Sequence, residues 1–474
     1  MNNSAQTLRR VYLFLAGYTL VFWWLACRKT WMMNYNSGDT AIFVQALWST
    51  LHGRFFWDSG LNMSFFGDHG GFIFIPLVPV FALFPYVGTV LFLQSFFIAL
   101  AAIPVFLVAR RVLSDQLAAW MLMIAFLFFP TIVSQHVNQV HDTQFILPFI
   151  LFAFYFFEAE RFRWFVVFAV LSCLGKENMP LTLIMFGVYA ALQRRQWKWI
   201  VTPIAIGATA LGLLFKVIMP YFRGDRPYRS FAYFGPLGNS PLEVIGSVVT
   251  KPGTFFGVLL SAQNIFFFIQ LIQPVGWVLP FLSLPVIFVL PDLMVNLLAD
   301  NTALKVIRWH YNMTVGAFLL VATIFSIGKL SGWLSHRYGS ARYAAGLGVL
   351  VACLSVSHWF FWFDINEYRR PPQHEALVEA LELVPPDASI LVPHPMLAYA
   401  ASRWDALDVQ YFLYVKPNPE KIFQYQYVIL DLNERQQPIP QKLVEALASS
   451  SAHELIFNRQ NVLVFRRRGN DVVK

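Results

Sequence analysis

The chain has 474 residues, of which 57% are hydrophobic, 17% aromatic and only 13% charged. A soluble globular domain carries about 25% charged residues, so this composition excludes an ordinary soluble protein and points to a polytopic membrane protein. The formal charge of +9 is uneven: residues 1–363 hold 23 Lys and Arg against 12 Asp and Glu, whereas residues 364–474 hold 12 against 14. The basic excess belongs to the apolar part, where loop orientation and anionic headgroups account for it better than nucleic acid does.

In chain order, the first apolar run is Val11–Cys27, preceded by Arg9-Arg10 and followed directly by Cys27-Arg28-Lys29-Thr30. No small-residue cleavage site follows it, so it reads as a retained helix rather than a signal peptide. The three cysteines (Cys27, Cys173, Cys353) lie in or beside apolar runs without metal-site spacing and read as packing residues.

The next stretch, NSGDTAIFVQALWSTLHGRFF followed by WDSGLNMSFFGDHGGFIFIP, concentrates acids in a chain that is short of them. Ile42, Phe43, Ala46, Leu47 and Leu51 fall at helical spacing after Asp39-Thr40, and Gly53 is placed to end that helix. Phe72–Pro85 is apolar but proline-rich. If it spanned the bilayer, Arg110-Arg111 would share a side with the acidic loop, so it is expected to be juxtamembrane or re-entrant.

Beyond it, Val87–Ala109, Leu117–Gln135, Phe145–Phe157, Trp164–Leu174, Leu181–Leu192 and Ile200–Met219 read as successive spans. A proline-broken hairpin over Phe255–Leu290 follows, then Met313–Ile327 and Ala345–Phe363. The expected architecture is mostly α, with about eleven transmembrane helices in residues 1–363 and a first outer loop over 28–87. The amino terminus is expected inside and the carboxyl terminus outside. Residues 364–474 read as a small soluble extracytoplasmic α/β domain: HEALVEALELV and KLVEALASS as helices, SILVPHP and YQYVILDL as strands, and HELIF with NVLVF as a hairpin.

With that topology most acids and several histidines gather on the outer side. Asp39 is the candidate general base, since a carboxylate at a helix start beside apolar surface is suited to take a proton from a hydroxyl; the alternative is a helix N-cap. Asp68-His69 suits acceptor positioning, a metal or a phosphate contact, or is a loop turn. His141-Asp142 repeats the acid–imidazole pairing at the head of another helix. Lys176-Glu177 stands at the tip of two short apolar arms, where charge is costly; it is either a self-neutralising pair or a phosphate and sugar contact.

Arg223, Arg226 and Arg229 lie among aromatics, as does Arg308 beside Trp309, His310 and Tyr311. Guanidinium groups suit phosphate and aromatics suit an isoprenoid tail or sugar face, although interfacial snorkelling produces the same pattern. No P-loop, dinucleotide glycine motif, nucleophile elbow or zinc signature occurs.

An amino-terminal helix, an acidic first outer loop, a proline-rich juxtamembrane segment and many short helices resemble the GT-C superfamily of lipid-dependent glycosyltransferases. SGDTAIFVQALWSTLHG, GDHGGFIFIPLVPVFALFP, KEN and PDLMVNLLAD…HY are similar to a family of bacterial and archaeal polytopic membrane proteins placed near those enzymes. The resemblance implies an inverting glycosyltransferase of the cytoplasmic membrane, with a polyprenyl-phosphate sugar donor and a glycan, lipid or protein acceptor on the outer face. Asp39 occupies the place of the family's essential first-loop Asp, followed by Thr40 rather than a second acid.

Lys176, Arg223, Arg226, Arg229 and Arg308 would then meet the lipid phosphate. Asp68, His69, His141, Asp142, Glu177, His310 and Tyr311 would position sugar or acceptor. No cofactor is certain, and a divalent cation (Mg or Mn) near Asp39 and Asp68 is left open. A transporter or flippase of a lipid-linked glycan and a non-catalytic subunit of an envelope assembly complex are the rival classes.

Overall fold

The structure, a computed structural model, describes residues 2–34, 37–226, 228–338, 343–434 and 437–469. Helix α1 (Asn2–Trp31) opens the chain and α2 (Gly38–Leu51) follows a short turn. Gly53 has φ +91°, a conformation open to glycine, and the helix ends there as its position suggests.

Among the described residues, five helices are long and apolar enough to cross a membrane: Ala5–Trp31, Val87–Leu113, Trp197–Arg223, His310–Arg337 and Tyr343–Trp362. Two bent pairs, Gln116–Leu127 with Pro130–His136 and Pro241–Thr250 with Pro252–Leu259, raise the number to seven if each is one span. The expected count of about eleven takes each apolar run as a span. Several of those runs form helices too short for a bilayer on their own, among them Phe162–Ser172 and Met179–Leu192. Phe72–Leu83 is likewise short, a 3-10 turn running into six helical residues, in keeping with its prolines. The expected broken hairpin is a helix, Ala262–Ile272, followed by 3-10 turns at Pro274, Pro280 and Pro285.

In lipid, helices associate through close packing rather than through water exclusion, and small residues allow it. Gly187 and Gly207 show why at the hairpin of Met179–Leu192 with Trp197–Leu213. A Cβ on Gly187 would stand 2.6 Å from the Ile200 carbonyl oxygen, and one on Gly207 2.6 Å from that of Pro180.

After α2 the first loop makes a short antiparallel ribbon, β1 (Trp57–Asp58) with β2 (Met63–Ser64). Asp58 closes its turn by accepting from the Leu61 amide at 2.7 Å. Phe56, Phe65, Phe66 and Phe74 are buried beneath the ribbon, and the Ile73 amide donates to the Leu174 carbonyl at 2.7 Å. That bond fixes the loop against the turn that carries Lys176.

Residues beyond 364 build a five-stranded sheet in the order β4-β3-β5-β7-β6. Its strands are β3 (Ile390–Val392), β4 (Ala406–Asp408), β5 (Tyr427–Asp431), β6 (His453–Arg459) and β7 (Val462–Arg467). The first three pair in parallel, and β7 runs antiparallel to both β5 and β6. The hairpin turn is Gln460-Asn461, both at positive φ, the two-residue geometry that matches strand twist.

One apolar core joins this unit to the first loop, with Val44, Leu47 and Phe74 in the same cluster as Leu377, Ile390 and Val464. Polar bonds fix the register of that contact. The Gln45 amide donates to the Arg403 carbonyl at 2.9 Å and accepts from the Ser59 amide at 2.8 Å, while the Ser59 hydroxyl donates to the Ala406 carbonyl at 3.0 Å. Lys29 at the end of α1 pairs with Glu367 at 2.7 Å, where the chain enters the α/β unit.

Candidate active site

The start of α2 is held from two directions. The Asp39 amide donates to Gln139 Oε1 at 2.8 Å, and the Thr40 hydroxyl accepts from the Val140 amide at 2.9 Å. From the α/β unit, the Ser37 hydroxyl donates to the His394 carbonyl. Ser37, not Asp39, is the N-cap residue, and Asp39 lies in the first helical turn. A first-turn carboxylate gains from the helix dipole, but its side chain is directed elsewhere: Asp39 Oδ2 meets His141 Nε2 at 3.0 Å.

His141 is set by its own helix start. Its amide donates to Gln144 Oε1 at 2.9 Å, and Gln144 returns a bond to the Gln139 carbonyl at 2.9 Å. The His310 ring stacks on His141, with centroids 3.2 Å apart. His310 is brought there because the Arg308 carbonyl accepts bonds from Ser134, Gln135 and Asn138 at 3.0, 2.9 and 2.8 Å. Tyr311 follows, its ring centroid 3.9 Å from that of His310, and Lys176 Nζ sits 4.4 Å over the Tyr311 ring.

A second arm of the cluster runs through His69. Its Nδ1 is 3.5 Å from Glu177 Oε2, and its Nε2 is 3.8 Å from Asp68 Oδ2. Tyr228 donates to Glu177 Oε1 at 2.7 Å. Lys176 and Glu177 face different partners, Tyr311 and His69. Asn178 donates to Asp292 at 2.6 Å. Asp142 is buried at the head of its helix, and its Oδ2 has no hydrogen-bond partner among the described residues.

The electrostatics follow from this geometry. Desolvation raises the Asp39 carboxyl, but the imidazoles of His141, His69 and His394 outweigh it and hold the group below the usual carboxylate range. Burial disfavours the charged form of His69, yet Glu177, Asp68 and Asp142 push it up to about 9. Burial likewise raises Glu177, and His69 with Lys176 drives it down to about 2. Asp58 is pushed up to about 6 by burial.

The structure gathers Asp39, Asp68, His69, His141, Glu177, His310, Tyr311 and Lys176 in this chain of contacts, with Asp142 at the helix head beside His141. Of the arginines, Arg223 reaches the edge of this chain of contacts, its guanidinium 5.4 Å over the ring of Tyr228, which bonds to Glu177. Arg223 donates to the Gly67 carbonyl at 3.3 Å and Arg226 to that of Leu61 at 3.0 Å, so both fasten the backbone of the first loop. The Arg308 guanidinium lies 5.3 Å over the Trp362 ring. The Arg229 side chain lies outside the described residues; its backbone opens a 3-10 turn, Arg229–Phe234. Among the described residues, no group of three His, Cys, Asp or Glu side chains is arranged to hold a metal ion, and Asp39 and Asp68 are each turned toward a histidine.

Sequence reasoning missed His394. It sits at the end of β3, with Nδ1 3.1 Å from Asp408 Oδ2, and its ring faces Gly38 so closely that a Cβ there would be 3.0 Å from Cε1. The PHP triplet after a strand carried no signal that it would reach the membrane part.

This fold and this site define a polytopic membrane protein whose α/β unit closes over a polar cluster at helix ends. The chain belongs to the family described as "Predicted membrane protein (DUF2079)", which it matches over residues 29–463. Among solved structures it is similar to ArnT from Cupriavidus metallidurans in the apo state, with a TM-score of 0.49 and 13% identity over 95% of this chain and 98% of that one. It is also similar to the Archaeoglobus fulgidus oligosaccharyltransferase tethered to an acceptor peptide containing the NVT sequon, with a TM-score of 0.41 and 12% identity over 89% and 69% of the two chains. No curated protein matches the sequence.

Proposed function

We propose that this protein is a membrane glycosyltransferase that moves a sugar from a polyprenyl-phosphate donor to an acceptor hydroxyl on the extracytoplasmic face. The observation that carries the reading is the Asp39–His141 pair at 3.0 Å, with Lys176 reaching the same cluster through Tyr311 and His310. The sequence likeness of the first loop to lipid-dependent glycosyltransferases supports it.

In the proposed step, Asp39 is ionised at neutral pH and takes the proton of the acceptor hydroxyl as the oxygen bonds to the anomeric carbon. The bond from that carbon to the phosphate oxygen breaks, the electron pair leaves with the lipid phosphate, and the configuration inverts. His141 holds the Asp39 carboxylate in place, and Lys176 supplies the preorganised positive charge that the departing phosphate needs. His69 and Glu177, with Asp68, His310 and Tyr311, form the polar wall for sugar and acceptor. Asp142 offers them an unpaired buried oxygen.

The test is Asp39→Asn in proteoliposomes loaded with a radiolabelled polyprenyl-phosphate sugar. Turnover falls by about 10²–10⁴, the usual range for losing a general base, while lipid binding is retained. Equal turnover in the variant and the native protein would remove Asp39 from the chemistry.

A further inference from the structure

A cleft of about 700 Å³ lies between the first loop and the α/β unit, and Asp39 is not among its lining residues. Its size falls in the roughly 300–1,000 Å³ range of small-molecule sites. Arg54, Trp57 and Arg226 line it from the membrane part; Trp404, Lys416 and Lys421 line it from the α/β unit. The Arg54 guanidinium is 4.5 Å over the Trp404 ring and 5.8 Å from that of Trp57, which fixes a cation between two aromatic faces. Lys416 Nζ is 5.8 Å from the Tyr411 ring.

Among the described residues none of these four cations forms an ion pair. Asp405 is the one carboxylate in the lining, and Tyr425 bonds to it. Four positive charges thus face a single acid that already has a partner. Asn62, Asn418 and Gln424 add amide groups that match hydroxyls.

We infer that this cleft binds a short saccharide bearing carboxylate or phosphate groups. The cations take its charge, Trp404 and Trp57 take the apolar faces of its rings, and the amides take its hydroxyls. Two structural units supply the walls, so binding there also fastens the α/β unit to the first loop. The inference concerns binding alone and stands whether or not Asp39 acts as a base.

The test is calorimetric titration of the full-length protein in detergent with digalacturonate, maltose and a triglutamate peptide. Digalacturonate binds at least tenfold more tightly than maltose or triglutamate, and 0.5 M salt weakens it. The exposed pair Lys416→Ala/Lys421→Ala loses at least tenfold in digalacturonate affinity, and Trp404→Leu loses affinity for both sugars. Equal binding of digalacturonate and maltose, equal binding of triglutamate, or an unchanged affinity in the lysine pair would overturn the inference. Dodecyl glucuronide against free glucuronate separates a lipid-borne glycan from a soluble one; binding by neither also overturns it.

Discussion

Asp39 and His141 meet at 3.0 Å although they begin two different helices and are separated by the whole first loop and two apolar segments. His141 turns its Nε2 to Asp39 across the helix ends, and Asp39 leaves the N-cap to Ser37. An acid and an imidazole held by separate rigid elements are preorganised, because each backbone is fixed by its own amide bonds to Gln139 and Gln144.

In the proposed mechanism Lys176 takes the charge of the donor phosphate. Lys176→Gln keeps a polar side chain, one atom shorter, and removes the charge, and a charge-assisted bond is worth about 1.5–3 kcal/mol. The expected outcome is a donor dissociation constant raised about tenfold to a hundredfold, read by titration of a polyprenyl phosphate into the purified protein. An unchanged constant would move the phosphate site elsewhere.

The His69–Glu177 contact gives stability a defined pH window. The His69 pKa is raised to about 9, so its contribution is complete below the unfolded value of about 6.5 and is lost as pH rises through 9. The Glu177 pKa is lowered to about 2, so its contribution is complete above about 4.3 and is lost as pH falls through 2. Thermal unfolding of the native protein and His69→Gln should differ most between about pH 4.5 and 6.5, with the gap closing toward pH 9. A gap that stays constant to pH 9 contradicts a charged His69.

Much of this was legible in the sequence, for local reasons. The helix after Asp39 and its end at Gly53, the breaks at Pro274, Pro280 and Pro285, and strands β3, β5, β6 and β7 all follow from spacing and turn residues. What stayed hidden depends on contacts between distant parts. Strand β4 reads Ala-Leu-Asp and lacks the β-branched apolar run that marks the equally short β3, and His394 reaches the membrane part only because the α/β unit folds back on α2. Composition places Arg223 and Arg226 among aromatics but does not show that the Gly67 and Leu61 carbonyls of the first loop accept bonds from them.

Gln45 is a polar residue that couples the two parts. It is buried in α2, and Gln45→Leu leaves the Arg403 carbonyl and the Ser59 amide without their partner. The cost of such a loss is about 1–3 kcal/mol. Hydrogen exchange should quicken in Ile390–Val392 and Ala406–Asp408 while the long helices stay protected. Uniform protection in the variant would show that the α/β unit is held by its apolar contacts alone.

The central claim is that a lipid-borne sugar is placed against Asp39, and a cryo-EM map of the protein with a polyprenyl-phosphate sugar tests it most directly. The account predicts an isoprenoid tail between helices, the phosphate beside Lys176, and the sugar within reach of Asp39 and His141. A phosphate held away from Lys176, or a continuous hydrophilic path crossing the membrane with Asp39 facing away from it, would contradict the account and favour a transporter.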